Sequence, residues 1–362
     1  MSISFSRQDR KPGQRTWHPV YPGLYLDLRK KTEEALSARI AEAMNAPSEE
    51  TIRSKVKVLK VQSQSGLKSA TCVAADSSSN MLPLAISRIA LIGAIAVRHP
   101  GNVSPSVSGG VVDLPANYSD NDFLVHLSAK REALIPEAIL HQFSAYGGSR
   151  FALCDGPLSV SQWYNLASSK EVKDSVNNLI LSRNQLIDGA SDRDAGLFGV
   201  VKRSVSQHFQ ANLRWTTKFS DQFLFHQALE YGERTEDISI TKVLKESMAE
   251  VSGQPLTGLL SNDIHAFYIK TSRNMLAPPL RIEVPAYAAS RIEEIASYTL
   301  STAIESYDLK YDGLPQAQCL AHRDGKVTGD ALSAILREQL SKFANNTKEL
   351  KLLSLYSTAG RR

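Results

Sequence analysis

A chain of 362 residues is long enough for one elaborated domain or two ordinary ones. With 42% hydrophobic and 22% charged residues and no block of one residue type, it reads as a soluble globular protein, which excludes a fibrous or low-complexity chain. A formal net charge of +5 suits a polyanionic partner but is too small to require one.

Residues 1–22 are polar, contain proline and carry no apolar stretch, so they read as an arm rather than a secretory signal. Leu26, Leu28, Leu36, Ile40 and Met44 recur at near-helical spacing and predict a helix over Leu24 to Ala46. Residues 54–61 alternate for part of their length and read as a basic strand or a helix end, with a turn-like spacer from Gln62 to Lys68. Residues 1–60 are therefore set apart as an arm and helix, the expected place for a dimer or partner contact.

From residue 70 the pattern changes. Ala70 to Ala75 is a short apolar run that ends at Asp76, with Ser77 to Asn80 read as a loop. Ser87 to Val97 and Ser106 to Asp113 predict two further strands. The longest apolar run, Met81 to Val97, holds Arg88 in its middle, which favours buried sheet over a membrane span. Phe123, Leu127, Leu134, Ile139 and Phe143 predict a helix to Tyr146, closed by Gly147 and Gly148. Arg150 to Cys154 is again a buried strand, ending at Asp155-Gly156-Pro157.

Strand, strand, strand, helix, strand is the order of a ribonuclease-H-like α/β core, a mixed sheet flanked by helices. In that core the first and fourth strands are parallel neighbours roughly 4.8 Å apart, which would bring Asp76 and Asp155 to one edge. Downstream, Val160 to Ile187 reads as a helix and Leu197 to Ser204 as a strand ending in two cations. A mostly helical stretch follows to about residue 252, so residues 157–252 are taken as a helical insertion within a catalytic region of 61–350. Ile264 to Thr271 and Leu280 to Val284 read as paired strands. Pro285 to Tyr307 and Thr328 to Phe343 read as helices, and residues 351–362 as a tail.

Taken singly, Asp76 and Asp155 suit turns, because Asp-Ser and Asp-Gly-Pro are good turn sequences. As a pair on neighbouring strands they repel unless a divalent cation neutralises them. Cys72, Cys154 and Cys319 lie far apart with no CxxC spacing, which argues against zinc and for a reducing cytoplasm. Oxygen ligands then suit Mn²⁺ or Mg²⁺. Two such ions about 3.5–4 Å apart can activate water and stabilise a leaving oxygen at a phosphodiester. A third acid is expected from the intervening helix, with Glu132 and Glu137 as candidates, of which at most one fits. His322, placed before a helix, offers a neutral nitrogen ligand or a proton shuttle. Lys202 and Arg203 suit phosphate contact or a solvated strand end equally well.

Several segments resemble the NurA nucleases in order: Asp76-Ser-Ser, Cys154-Asp-Gly-Pro-Leu158, Gly199-Val-Val-Lys-Arg-Ser204, Ala266-Phe-Tyr-Ile-Lys270, Arg281-Ile-Glu-Val-Pro285 and Gly313-Leu-Pro315 followed by Ala321-His322. By that resemblance Asp76, Glu137, Asp155 and His322 are the catalytic metal ligands. The resemblance also implies a manganese-favouring nuclease that cuts single-stranded DNA and resects duplex ends 5′→3′. It further implies a homodimer partnered by a hexameric HerA-type ATPase, in DNA repair or phage defence. Two positions depart from the family pattern. Ser77 replaces a glycine, and Leu314 stands where a tyrosine precedes the histidine by eight residues. A scaffold subunit of the ATPase complex and an actin-like ATPase are the competing readings, and divalent-ion and nucleotide binding separate them.

Overall fold

The computed structural model describes residues 22–83, 87–115, 118–160, 164, 167–241, 260 and 262–327, together with 331, 334, 335, 338, 339 and 342. The chain divides into two units, residues 1–47 and 48–362. In the first, helix α1 (Pro22–Met44) forms where the leucine spacing predicts it, with Lys31 paired to Asp27 one turn away.

The second unit opens with α2 (Glu49–Lys55), whose Ser48 hydroxyl accepts the Thr51 N–H as an N-cap. Then follow β1 (Val58–Lys60), β2 (Cys72–Pro83), β3 (Ser87–His99), β4 (Ser106–Pro115), α3 (Asp120–Tyr146) and β5 (Phe151–Asp155). Next come α4 (Lys170–Ser191), β6 (Gly196–Val201), α5 (His208–Asn212), α6 (Asp221–Ala228), β7 (Glu233–Thr235), β8 (Ile238–Ser239), β9 (Ile264–Ile269) and β10 (Leu280–Pro285). Helices α7 (Ile292–Ser301) and α8 (Gln316–Asp324) close the described part.

Ten described strands make one sheet in the order β1-β7-β9-β10-β6-β5-β2-β3-β4, with β8 beside β9. Within it, β4-β3-β2 is antiparallel while β2, β5 and β6 run parallel, the ribonuclease-H-like arrangement. Strand alternation sorts the side chains of the central strands onto two faces. Val73, Ala75, Ala152, Cys154 and Leu197 face Ile135, Ala138 and Ile139 of α3 and Leu186 and Ile187 of α4. Cys72, Ala74, Phe151, Leu153, Phe198 and Val200 face Ile295, Ala296 and Tyr298 of α7 and Ala317 and Ala321 of α8. Phe151 and Tyr298 pack ring to ring at 4.3 Å, and each such buried side chain contributes about 2–3 kcal/mol.

α3 carries Pro136 in its interior and ends at Gly147, whose φ of 76° suits glycine.

Several expectations are corrected. Ser77 to Asn80 are strand, not loop: β2 pairs with β3 from Cys72↔His99 to Pro83↔Arg88, whereas its pairing with β5 stops at Ala75↔Cys154. The helix placed from residue 160 begins at Lys170, behind the Ser169 cap. Residues 157–252 are not simply a helical insertion, because β6 is a central strand and β7 and β8 join the sheet. Residues Pro285 to Tyr307 hold a 3₁₀ turn and then the shorter α7. Residues 1–21 and 351–362, and much of the helix expected at 328–343, lie outside the described residues.

Candidate metal centre

Ala75 and Cys154 form the last rung between β2 and β5, so Asp76 and Asp155 are the next residues on adjacent strands. Ala75 and Cys154 face α3, and alternation turns both aspartates to the opposite face, the one covered by α8. Lys202, two residues after Val200, falls on that same face from β6. Gln318 and His322, four residues apart on α8, share the helix side that meets them.

The Nδ1–H of His322 donates to Oδ2 of Asp76 at 2.6 Å and lies 3.5 Å from Oδ2 of Asp155. Oδ1 of Asp76 accepts the Ser77 N–H at 2.7 Å. Asp155 accepts Lys202 Nζ on Oδ2 at 2.5 Å and Gln318 Nε2 on Oδ1 at 2.9 Å. Asp76 is only 8% exposed. Burial first, and then the negative charge of Asp155, push its carboxyl above the usual carboxylate range. Asp155 is buried too, which opposes ionisation, yet His322, Lys202 and Gln318 outweigh burial and hold it low.

Asp76, Asp155 and His322 each offer a ligand atom within 4.8 Å of the others. The His322 Nε2 is buried and has no hydrogen-bond partner among the described residues. Two carboxylates of which one is reluctant to ionise, joined by an orphaned ring nitrogen, form a donor set that fits a divalent cation.

Beside this group lies a cavity of about 230 Å³. Asp76, Ser78, Asp155, Lys202, His322 and Lys326 line one side, and Arg131, Glu132, Ile135 and Pro136 of α3 with Arg183 and Leu186 of α4 line the other. The turn after β5 is built for close approach. Gly156 has a φ of 130°, and a Cβ on Gly199 of β6 would sit 2.6 Å from the Gly156 carbonyl oxygen.

Of the residues singled out from sequence, Asp76, Asp155, His322 and Lys202 come together here. Glu137 does not: it is exposed on α3 and does not line the cavity, whereas Glu132 does. Arg203 is exposed and away from the cavity wall. His322 lies within α8 rather than ahead of a helix. Sequence reasoning missed Gln318 and Tyr311. Leu314 is a core residue, 2% exposed, and Tyr311 three residues earlier packs edge-to-face on His322 with 5.8 Å between ring centroids. Neither carried a motif; four-residue spacing from His322 was the one available signal for Gln318.

Residues 70–327 match the family model described as the NurA domain. Among solved structures, the fold is similar to that of the NurA nuclease from Sulfolobus solfataricus, with 17% identity and a TM-score of 0.60 over 89% of this chain and 97% of that one. It is also similar to a NurA crystallised with dAMP and manganese, with 11% identity and a TM-score of 0.53 over 90% of this chain and 98% of that one. A third NurA crystal structure matches at 13% identity and a TM-score of 0.52, over 90% of this chain and 99% of that one. No functionally curated protein matches the sequence.

Proposed function

This chain belongs to the NurA family, and from that premise we propose that it is a metal-dependent DNA nuclease whose centre is Asp76, Asp155 and His322. The observation that carries the reading is the convergence of those three donors within 4.8 Å where the parallel pairing of β2 and β5 stops.

Asp76, Asp155 and His322 would hold Mn²⁺ or Mg²⁺. When bound, such an ion supplies Lewis acidity toward a phosphoryl oxygen and makes water nucleophilic near neutral pH. The protein's own groups do the positioning. Gln318 fixes the rotation of Asp155 through Oδ1, leaving Oδ2 to Lys202 and within 3.5 Å of His322. Lys202, now on Asp155, is placed to transfer its charge to an entering phosphate, in keeping with its expected DNA contact. Two ions need a fourth donor. Glu132 is the acid on the facing wall of the cavity, and we assign it that role instead of Glu137.

The 5′→3′ exonuclease and single-strand endonuclease activities are proposed from the family resemblance. The same holds for the homodimer, the hexameric HerA-type ATPase partner, the role in repair or phage defence and the cytoplasmic setting. No described helix is long and apolar enough to cross a membrane. The scaffold reading rested on the missing tyrosine at Leu314, and Tyr311 against His322 supplies an aromatic hydroxyl residue in that neighbourhood. The ATPase reading wants a glycine-rich loop after the first strand, where β2 instead continues to Pro83.

The test is cleavage of labelled single- and double-stranded DNA with Mn²⁺, Mg²⁺ or EDTA, comparing wild type with Asp76→Ala. Metal-dependent cutting that falls about 1,000-fold or more in the variant is the expected result. A variant that cuts at the wild-type rate would remove the assignment of the centre.

A further inference from the structure

The Arg281-Ile-Glu283 segment of β10 has no part in the centre described above, yet it is charged and almost wholly buried, Arg281 at 6% and Glu283 at 0% exposed. Arg281 Nη2 pairs with Glu283 Oε1 at 2.6 Å. Glu283 stands opposite Gly199 in the β10–β6 register, and the missing side chain there lets the turn after β5 lie across the sheet and bring Ser159 onto Glu283. The Ser159 N–H donates to Oε2 at 2.8 Å and its hydroxyl to Oε1 at 3.1 Å. The series of contacts continues to α4 and α3. The Ser159 carbonyl accepts Arg183 Nη1 at 2.7 Å, and Arg183 Nη2 donates to Glu132 Oε2 at 2.6 Å.

Stability does not account for this arrangement. Buried ion pairs hold a fold together no better than apolar side chains of the same volume, because each charge is stripped of water. What they add is fixed direction. Arg183 is 5% exposed and both its terminal nitrogens are committed, one to Ser159 and one to Glu132, so its planar fork holds the carboxylate in one rotation. Oε2 is thereby engaged. Arg131 Nη2 lies 3.6 Å from Oε1, beyond hydrogen-bond range. The Tyr164 hydroxyl is also near, pushed up by burial first and by the Glu132 charge second. A carboxylate oxygen has two lone pairs, so Oε1 keeps one for an ion in the cavity that Glu132 lines, with 20% of its side chain exposed.

We propose that Arg183 is a positioning residue for the metal centre: anchored through Ser159 by the Arg281–Glu283 pair, it turns Glu132 so that Oε1 meets the second ion. This rests on the nuclease reading and on Glu132 as the fourth donor, and it gives the Arg281-Ile-Glu283 segment a task that neither contains. Arg183 acts through Glu132 and binds neither ion itself. Groups one step behind a metal ligand govern affinity by about 10–100-fold, because a ligand free to rotate has to be ordered when the ion binds.

Mn²⁺ binding tests this without turnover. Electron paramagnetic resonance of free Mn²⁺ counts the ions held per chain, and their affinities, in wild type, Arg183→Lys, Arg183→Gln, Glu132→Ala and Asp76→Ala. Wild type should hold two ions. A lysine reaches one of the two partners at a time, so Arg183→Lys should weaken the second ion about tenfold. The first ion should keep its wild-type affinity, which also shows that the variant is folded. Arg183→Gln should weaken the second ion at least as much, and Glu132→Ala should abolish it. Excess Mn²⁺ should restore cleavage to Arg183→Lys but not to Glu132→Ala. Arg183 variants that bind both ions at wild-type affinity would overturn the role, as would equal weakening of both ions, the mark of a merely structural residue. A wild type that holds one ion, unaffected by Glu132→Ala, would remove Glu132 as a donor and this role with it. Failure of the nuclease centre looks different: there Asp76→Ala keeps both ions at wild-type affinity.

Discussion

Two buried carboxylates in this sheet live opposite lives. Glu233, on β7, accepts Lys60 Nζ at 2.8 Å, Arg53 Nη2 at 2.8 Å and the Glu230 N–H at 2.8 Å. Burial works against its charge, but Lys60, Arg53 and that backbone donor prevail and hold it down to about 2. Asp76, on β2, has another carboxylate as its neighbour and is pushed the other way. The first group is complete with the chain's own cations; the second is left short of positive charge in a cavity open to solutes. A closed charge cluster serves stability, and an open one serves binding at a cost to stability.

The sharpest way to widen that contrast is to supply the missing charge. Mn²⁺ at 100 times its dissociation constant should stabilise the wild type by about 2.7 kcal/mol, read as a rise in Tm. Asp76→Ala should lose that response yet melt no lower than wild type in EDTA, since it removes a carboxylate whose charge burial and Asp155 disfavour. A variant that responds fully to Mn²⁺ would erase the distinction between the clusters. At the closed cluster the sign reverses. Glu233→Gln should destabilise by about 2 kcal/mol, below the range for fully buried pairs because Lys60 is exposed and Arg53 partly so, and should leave Mn²⁺ stabilisation untouched. Denaturant melts with and without the ion check both halves.

The smallest effect is the pH profile. Glu233 has a folded value near 2 against an ordinary 4.5, so its contribution is fully present above about pH 4.5 and is lost as pH falls through about 2. The gap between wild type and Glu233→Gln should therefore close on acidification, by at most about 1.4 kcal/mol per pH unit. A gap that stays constant from pH 5 to pH 2.5 would mean that packing, rather than charge, sets the effect of Glu233.

The halves of the molecule also differ in how far they could be read from sequence. β5 and the first part of β2 were legible because each is a short apolar run reaching an aspartate, and the order of elements made them neighbours. Ser77 to Asn80 were not, because serine runs carry turn chemistry locally, and what keeps them extended is pairing with β3 and the Ser78 hydroxyl, which accepts the Val327 N–H and donates to the Gly325 carbonyl. β7 and β8, three and two residues long, show no period to detect. On α3, positions 131, 132, 135 and 136 share the cavity side, and Glu137 sits one residue, about 100°, further round. Distance along the chain from Asp155 could not reveal that rotation. Gln318 and Tyr311 are neutral or weakly acidic side chains, whose roles appear only once α8 is laid over the two aspartates.

Pro136 gives α3 a joint at the place where it walls the cavity. A proline has no N–H to offer the carbonyl four residues back, which here belongs to Glu132, and its ring crowds that turn. The missing hydrogen bond falls between the turn that carries Arg131 and Glu132 and the turn anchored by Ala138, Ile139 and Phe143 in the core. The proline thus stands in the cavity wall itself, and the turn of α3 that faces the two aspartates is the one that lacks a backbone hydrogen bond.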